Sequence, residues 1–350
     1  VDGRGASCGE PGRRRGPGLD GEEQESGTVA GGVAIARGVT SLRADLGVVL
    51  PPSVAMSDTL PNSIETAPTR ALRIAYFVAI AAMLGRITWL DSWSLLRWLV
   101  LAAFLCTLRP DIVAAPSTRS LQYGALSFFG LSGAVTYLPD VWFKIAFQLN
   151  HAKNYLWNAN AWMQTIPGND AAFLWRHQVP WLTQLMGWIY ENGFDMVVWI
   201  PVVRSLLACD ARKMARYALG AHVLQFPMIM PFYTLFRVDE VWSVLGHPDL
   251  LARGWDEETR LNIGANCFPS MHTSVAYAIL LLGLRERSRA FRWMMCSYAS
   301  SIIVSTMYME VHWIIDVLGG LWLGWAAVKL ADRVTGKLAV NTVETVSDAA

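Results

Sequence analysis

The stretch STMYMEVHWIIDVLGG, residues 305–320, ends one strongly apolar segment and begins the next. A second stretch, CFPSMH at residues 267–272, begins an apolar segment earlier in the chain. Each stretch places a histidine, His312 or His272, at the edge of apolar sequence. Ionisable groups at such edges are costly to bury and are usually functional. The two stretches therefore indicate helices that end close to a polar site.

The composition is that of a membrane protein. Hydrophobic residues make up 53% of the 350 residues, 16% are charged, and 16 are tryptophan. We therefore expect an all-α fold, a polytopic integral membrane helical bundle. The net charge of +1 is spread without long runs of like charge, which gives no indication of a nucleic-acid partner. Five cysteines at irregular spacing fit neither a disulfide framework nor a zinc motif.

Apolar runs long enough to cross a membrane recur from residue 72 onward. We predict about six to eight transmembrane helices. Eight spans fit the sequence best. They are Leu72–Leu90, Trp93–Leu108, Leu121–Leu138, Phe194–Cys209, Tyr217–Phe236, Cys267–Leu284, Trp293–Val311 and Trp313–Leu330. Between the third and fourth of these spans, residues 140–192 are rich in tryptophan and also carry charges. They fit either a pair of helices lying in the membrane interface or an ordinary amphipathic loop.

The chain is predicted to divide into four regions. Residues 1–55 are rich in Gly and Arg and poor in apolar side chains, so they are expected to be disordered. Because the first methionine is Met56, we also hypothesise that translation starts there and that residues 1–55 are not translated. The other regions are N-terminal transmembrane helices with the Trp-rich segment (56–220), a catalytic core (221–332) and a cytoplasmic tail (333–350).

The distribution of basic residues predicts the orientation. Residues 285–292, between the sixth and seventh spans, carry four arginines and one glutamate, and short basic loops stay in the cytoplasm. The loop 237–266 instead carries six acidic and three basic residues, so we expect it outside. His272 then begins a span at the outer face, and the next span ends beside His312. The prediction is a multi-pass protein of the cell membrane whose site faces outward.

The residue types at this site suit phosphoryl transfer. His312 and Asp316 are four positions apart, so on a helix the carboxylate can hold one imidazole nitrogen and leave the other free. An imidazole oriented in this way can attack phosphorus and form a phosphohistidine. His272 would give a proton to the leaving oxygen. Ser270 and the N–H groups that begin the helix would bind phosphate oxygens.

These residues resemble the second and third signature motifs of the type-2 phosphatidic acid phosphatase superfamily. The motifs are FPSMH at 268–272 and the stretch 305–320. The form is closest to the branch that includes fungal inositol phosphorylceramide synthases and sphingomyelin-synthase-like phosphotransferases. The resemblance implies that His312 is the nucleophile, Asp316 its orienting partner and His272 the general acid. It also implies a lipid phosphate substrate in the membrane, and neither a metal nor a cofactor.

The sequence departs from the family pattern at the positions that carry positive charge. Thr306 stands where the commoner phosphatase form has arginine, and the first motif is not recognisable. A phosphoryl group in transfer needs cationic stabilisation. We predict that Arg237 supplies it, ahead of Arg253 and Arg260, and that Thr306 and Ser270 complete the phosphate site. The Ser-Thr form favours a phosphotransferase without excluding a phosphatase.

Two classes of function compete at this point. The first is a metal-independent lipid phosphotransferase or phosphatase. The second is a transporter or a non-enzymatic membrane scaffold, in which the histidines would couple transport or sense pH. Transporters often show internal repeats of hydropathy, and none is convincing here. We therefore favour the enzyme.

The glycines after Asp316 have a simpler explanation. Gly320 and Gly324 form a small-xxx-small pattern, which lets two helices approach closely. We interpret them as packing residues.

Overall fold

The computed structural model describes residues 94–107, 155–208 and 210–347, with a few single positions between 74 and 145. The prediction for residues 1–55 and the predicted span Leu121–Leu138 lie outside the described residues. Of the predicted span Leu72–Leu90, four single positions are described.

The described part of the chain is mostly helical, as predicted. In chain order the helices and strands are α1 (Leu95–Leu105), β1 (Trp157–Asn158), α2 (Asn160–Thr165), α3 (Ala172–Trp175), α4 (Pro180–Leu207), α5 (Ala211–Ala218), a π-helical turn (Leu219–Val223), α6 (Gln225–Leu235), β2 (Phe236–Arg237), α7 (Val241–Leu245), α8 (Glu257–Asn262), α9 (Met271–Gly283), α10 (Arg289–Tyr308) and α11 (Ile314–Ser347). The two strands pair in parallel, with Trp157 opposite Phe236.

One described stretch, Ile314–Gly336 within α11, is long and apolar enough to cross a membrane. Helices α1 and α9 are apolar but shorter. The predicted spans that begin at residues 93, 267, 293 and 313 correspond to α1, α9, α10 and α11, and the one that begins at residue 194 is the second half of α4. Helix α11 continues through most of the predicted tail. The number of membrane spans stays a prediction.

The core lies where α4, α9 and α10 pack together. Its fully buried members are apolar side chains at helical spacing: Met196, Ile200, Val275, Ile279, Met295 and Ile302.

Serine side chains cap the starts of α9 and α10. Ser270 Oγ accepts the Thr273 N–H at 3.2 Å at the start of α9, and Ser288 Oγ accepts the Phe291 N–H at 3.3 Å at the start of α10.

Helices α9 and α11 touch through backbone, as the small-xxx-small pattern indicates. A Cβ added at Gly320 would lie 2.6 Å from the carbonyl oxygen of Ser270. At Gly324 an added Cβ would lie closer still to the carbonyl oxygen of Ser274. Any side chain at these positions must push the two helices apart. The glycines therefore hold the start of α9 against the start of α11.

We expect Gly324→Ala to destabilise the protein by about 1–3 kcal/mol, although alanine is the better helix former. The reason is the clash with the carbonyl of Ser274. Thermal unfolding in detergent measures the effect. Gly336→Ala is the matched control, because it lies in the same helix and its Cβ would meet no atom within 4 Å. Equal melting temperatures for the two variants would contradict the packing role.

The other end of α9 is charged. Arg285 Nη1 donates to both carboxylate oxygens of Asp332 at 2.9 Å, and Lys213 Nζ lies 3.1 Å from Glu286 Oε2. Arg285, which the sequence assigns to a cytoplasmic loop, thus shares one end of the bundle with Lys213. The length of α9 separates this end from His272.

Candidate active site

The two histidines come together from different helices. His272 is the second residue of α9, and His312 lies two residues before the first residue of α11. The centroids of the two imidazole rings are 6.3 Å apart, and the ring planes are inclined by 52°. The packing of α9 against α11 at Gly320 produces this approach.

His312 and Asp316 face each other in the interior. Their side chains are 5% and 0% exposed, and His312 Nδ1 lies 3.6 Å from Asp316 Oδ2. Asp316 Oδ2 also accepts the Trp313 N–H at 2.9 Å, which fixes the carboxylate at the start of α11. The 3.6 Å separation is too long for a hydrogen bond, and catalytic hydrogen bonds often tighten when substrate binds. The pair can therefore orient an imidazole, as the sequence predicts.

Two polar atoms of this pair are unsatisfied. Among the residues that the structure describes, neither His312 Nδ1 nor Asp316 Oδ1 has a hydrogen-bond partner. A buried polar atom without a partner costs about 1–3 kcal/mol. Such a cost is typical of a functional site rather than of a packing role.

The loop that carries His312 is held rigidly. Glu310, two residues earlier, has a left-handed backbone with φ of 55°. Its carboxylate lies 2.5 Å from His247 Nδ1 and accepts Gln178 Nε2 at 3.5 Å, and its carbonyl accepts the Trp242 N–H at 2.9 Å. A left-handed non-glycine residue costs about 1–3 kcal/mol and persists where its surroundings impose it. The contacts to Glu310 thus fix the position of His312.

Asn169 completes the first turn of α11. Its carbonyl accepts the Ile314 N–H at 2.8 Å, and its Oδ1 accepts the Ile315 N–H at 3.0 Å. The side chain is buried and also donates to the Met163 carbonyl at 3.0 Å. Sequence reasoning missed this residue. The turn-forming run PGND at 167–170 was the available signal.

Ser270 and Thr306, the predicted phosphate ligands, both lie next to the loop that carries His312. Ser270 is buried, caps α9 and donates its N–H to the Asp316 carbonyl at 3.0 Å. The Thr306 hydroxyl donates to the Ile303 carbonyl at 2.8 Å, while the Thr306 carbonyl accepts the His312 N–H at 3.1 Å. Thr306 therefore positions the loop through its backbone, and its role toward phosphate stays a prediction.

Two aromatic side chains pack against the imidazole of His272. The Tyr190 ring stacks on the imidazole at 4.2 Å and 17°, and Phe194 packs against it at 4.6 Å and 49°. Both residues belong to α4. Sequence reasoning missed them, because it placed Tyr190 in the Trp-rich stretch and Phe194 in a membrane span. The stacking fixes the plane of the imidazole.

Arg237, the predicted phosphate clamp, binds a neighbouring carboxylate. Its Nε and Nη2 donate to the two carboxylate oxygens of Asp239 at 3.0 and 2.9 Å. These hydrogen bonds raise the pKa of Arg237 above its usual value. The Arg237 side chain is 26% exposed. It keeps contact with solvent, and among the described residues it has one carboxylate partner, Asp239, to exchange for phosphate.

Arg253, the second candidate, lies deeper and is held more tightly. It donates to Glu240 at 2.9 and 2.5 Å and to Asp249 at 3.0 Å, and its guanidinium stacks 3.8 Å from the Trp255 ring. The hydrogen bonds to both carboxylates raise the pKa of Arg253, although burial opposes the rise.

The third candidate, Arg260, donates to Ser243 Oγ at 2.7 Å. It is partly exposed and lies in the short helix α8. The described contacts therefore place Arg237 and Arg253, rather than Arg260, in charged pairs that phosphate could compete with.

Cys267 completes the immediate surroundings of the pair. Its sulfur, a ring nitrogen of His312 and a carboxylate oxygen of Asp316 all lie within 4.8 Å of one another. All three residues are buried.

Comparison with known proteins agrees with the geometry. Searches of curated proteins and of solved structures found no significant match. The superfamily whose model matches this chain contains phosphatases and phosphotransferases that act on phosphate esters. The match is to the superfamily as a whole and favours no branch of it. Residues 242–338, which include His272, His312 and Asp316, match the PAP2 superfamily.

Proposed function

We propose that this protein is an integral-membrane lipid phosphotransferase or phosphatase that works through a phosphohistidine on His312. The observation that carries the proposal is the approach of His272 to the His312–Asp316 pair, with ring centroids 6.3 Å apart. Two imidazoles and a buried carboxylate supply a nucleophile, an acid and an orienting group. No step of this chemistry requires a metal ion.

The reaction has two steps. In the first, the His312 nitrogen that faces away from Asp316 attacks phosphorus, and the bond from phosphorus to the leaving oxygen breaks. His272 gives a proton to that oxygen. In the second, the oxygen of an acceptor hydroxyl or water attacks phosphorus, the bond from phosphorus to the His312 nitrogen breaks, and His272 takes the proton of the attacking group. Asp316 holds the other nitrogen of His312 throughout and stabilises its positive charge.

The proposed location is the extracytoplasmic face of the cell membrane. The apolar composition and the candidate span Ile314–Gly336 support insertion in a membrane. The site lies at the end of α9 opposite the basic cluster around Arg285. Short basic loops stay in the cytoplasm, so the opposite end faces outward.

We further propose that the enzyme is inositolphosphotransferase-like, resembling the inositol phosphorylceramide synthase branch. Thr306, in place of the arginine of the commoner phosphatase form, supports this assignment. The acceptor would then be the hydroxyl of a lipid or polyol instead of water. Phosphate binding would fall to Ser270, Thr306 and Arg237.

We expect Arg237→Gln to raise the KM for the lipid phosphate about tenfold or more, because charge-assisted hydrogen bonds contribute about 1.5–3 kcal/mol. Steady-state kinetics in mixed micelles measures it. Arg260→Gln is the matched control, since Arg260 binds Ser243 and no carboxylate among its described contacts. An unchanged KM in Arg237→Gln, with a raised KM in Arg253→Gln, would move the clamp to Arg253.

The function is tested directly with purified protein in detergent. Phosphate release and headgroup exchange are measured on a panel of radiolabelled phospholipids, with and without alcohol acceptors and in the presence of EDTA. We expect turnover that survives EDTA and is lost in His312→Ala. Dependence on an acceptor would identify a transferase, and release without one a phosphatase. A folded wild-type protein inactive on the whole panel would favour a transporter or scaffold.

A further inference from the structure

We propose that Cys267, His312 and Asp316 form a binding site for a thiophilic divalent ion such as Zn²⁺, and that the bound ion inhibits the enzyme. Their ligand atoms lie within 4.8 Å of one another, and all three side chains are buried. Ion binding depends on this geometry alone. The inhibitory effect rests on the proposed function of His312.

The separation of the His312–Asp316 pair suits an ion better than a hydrogen bond. His312 Nδ1 and Asp316 Oδ2 are 3.6 Å apart. Nitrogen and oxygen ligands lie about 2.1 Å from tetrahedral zinc, so two such ligands are about 3.4 Å from each other. A small closing movement of either side chain would bring both atoms into the ion's coordination shell.

Each of the three proposed ligand side chains has an atom free of strong hydrogen bonds among the described residues. Among the described residues, His312 Nδ1 and Asp316 Oδ1 have no hydrogen-bond partner, although both are buried. The Cys267 thiol has two long contacts, to the Gly264 carbonyl at 3.5 Å and the Val311 carbonyl at 3.7 Å. A thiol is a weak donor, so these contacts are easily given up. An ion would satisfy all three side chains together.

The backbone presents these ligands in fixed positions. The Cys267 N–H donates to the Val238 carbonyl at 3.1 Å, and the His312 N–H donates to the Thr306 carbonyl at 3.1 Å. Asp316 is fixed by the Trp313 N–H at 2.9 Å. Three protein ligands leave the fourth position of a tetrahedral ion for water.

The ligand set also selects the ion. One sulfur, one imidazole and one carboxylate favour Zn²⁺ or Cd²⁺ over Mg²⁺ and Ca²⁺, which prefer oxygen ligands. Binding replaces the thiol proton with a metal–sulfur bond and releases that proton to solvent. The ion would occupy the imidazole nitrogen that Asp316 orients, so the proton of the neutral ring would lie on the other nitrogen. That nitrogen would then have no free electron pair with which to attack phosphorus.

Cobalt gives a readout of binding that does not require activity. Co²⁺ bound to a thiolate absorbs in the near ultraviolet through charge transfer from sulfur. We expect this band for the wild-type protein, its loss on adding Zn²⁺, and its absence in Cys267→Ser and Cys267→Ala. Cys296→Ser is the matched control, because its thiol lies elsewhere, 3.9 Å from the Leu280 carbonyl. A wild-type band that persists in folded Cys267→Ser and Cys267→Ala, or no band in the wild type, would overturn the proposal.

Inhibition is measured as phosphate release against Zn²⁺ concentration, with each variant compared with its own metal-free rate. We expect Cys267→Ser to need about 100-fold more Zn²⁺ for half-inhibition. Loss of a residue that only supports a metal ligand already lowers metal affinity by about 10–100-fold, and Cys267 would be a ligand itself. Mg²⁺ should have no such effect, and EDTA should restore the rate. Binding of Co²⁺ through Cys267 in a folded protein without phosphotransferase or phosphatase activity would support the ion site and refute the proposed function. An active enzyme without Cys267-dependent binding would refute the ion site alone.

Discussion

His312→Asn is expected to lower kcat/KM by about 10⁴-fold or more and to abolish the covalent phosphoenzyme. Asparagine keeps a polar group near Asp316 but offers no nucleophilic nitrogen. The loss should be the same for every substrate, because each must pass through the same bond to His312. The expected result is therefore a uniform loss in catalysis with the fold intact.

The phosphoenzyme is measured by mixing protein with substrate labelled at phosphorus and quenching in alkali, because the phosphorus–nitrogen bond is labile in acid. Label should remain on the wild-type protein and be absent from His312→Asn. His177→Asn is the control, since His177 is exposed and lies on the segment after α3. Label retained by folded His312→Asn would assign the nucleophile to another residue.

His272→Ala should lower kcat by about 10²–10⁴-fold for substrates with alcohol leaving groups. A leaving group that is already acidic needs no proton, so the same variant should lose little activity on an aryl phosphate. The measurement is the slope of log kcat against the leaving-group pKa. That slope should be steeper in the variant than in the wild type.

Tyr190→Phe separates the acid role of His272 from packing. Phenylalanine preserves the ring that stacks on His272 at 4.2 Å. We expect its slope to match that of the wild-type protein. If His272→Ala loses the same factor on every leaving group, His272 is not the general acid.

The central residues of the site could be predicted because their positions follow from local rules. Ser270 caps a helix, so His272 falls in its first turn. Asp316 follows His312 by four residues, so a carboxylate reaches an imidazole at the start of the next helix. Each relation spans a few residues and follows from the regular geometry of a helix. The spacing of residues in a single sequence is therefore enough to predict it.

The supporting residues could not be predicted, because they come from distant parts of the chain. Asn169 reaches the first turn of α11, and Gln178 reaches Glu310 in the loop before it, both from a segment that fits several structures equally well. The stacking of Tyr190 on His272 depends on how α4 packs against α9. Tertiary packing decides such contacts, and hydrophobic periodicity does not report it.

The ion pair of Arg237 could have been predicted from the sequence. Asp239 follows it by two residues on an extended segment, where alternate side chains point the same way. That spacing predicts the ion pair seen at 2.9 Å.

Asn169 bears on how this architecture can be divided. The first two amide groups of α11 are completed by a residue far upstream of the stretch that matches the PAP2 superfamily. That stretch contains His272 and His312, but a residue outside it supplies two hydrogen bonds at the start of its last helix. A protein cut back to residues 242–338 would lose both hydrogen bonds, so we expect this stretch to be exchanged between proteins successfully only together with the Trp-rich segment that carries Asn169.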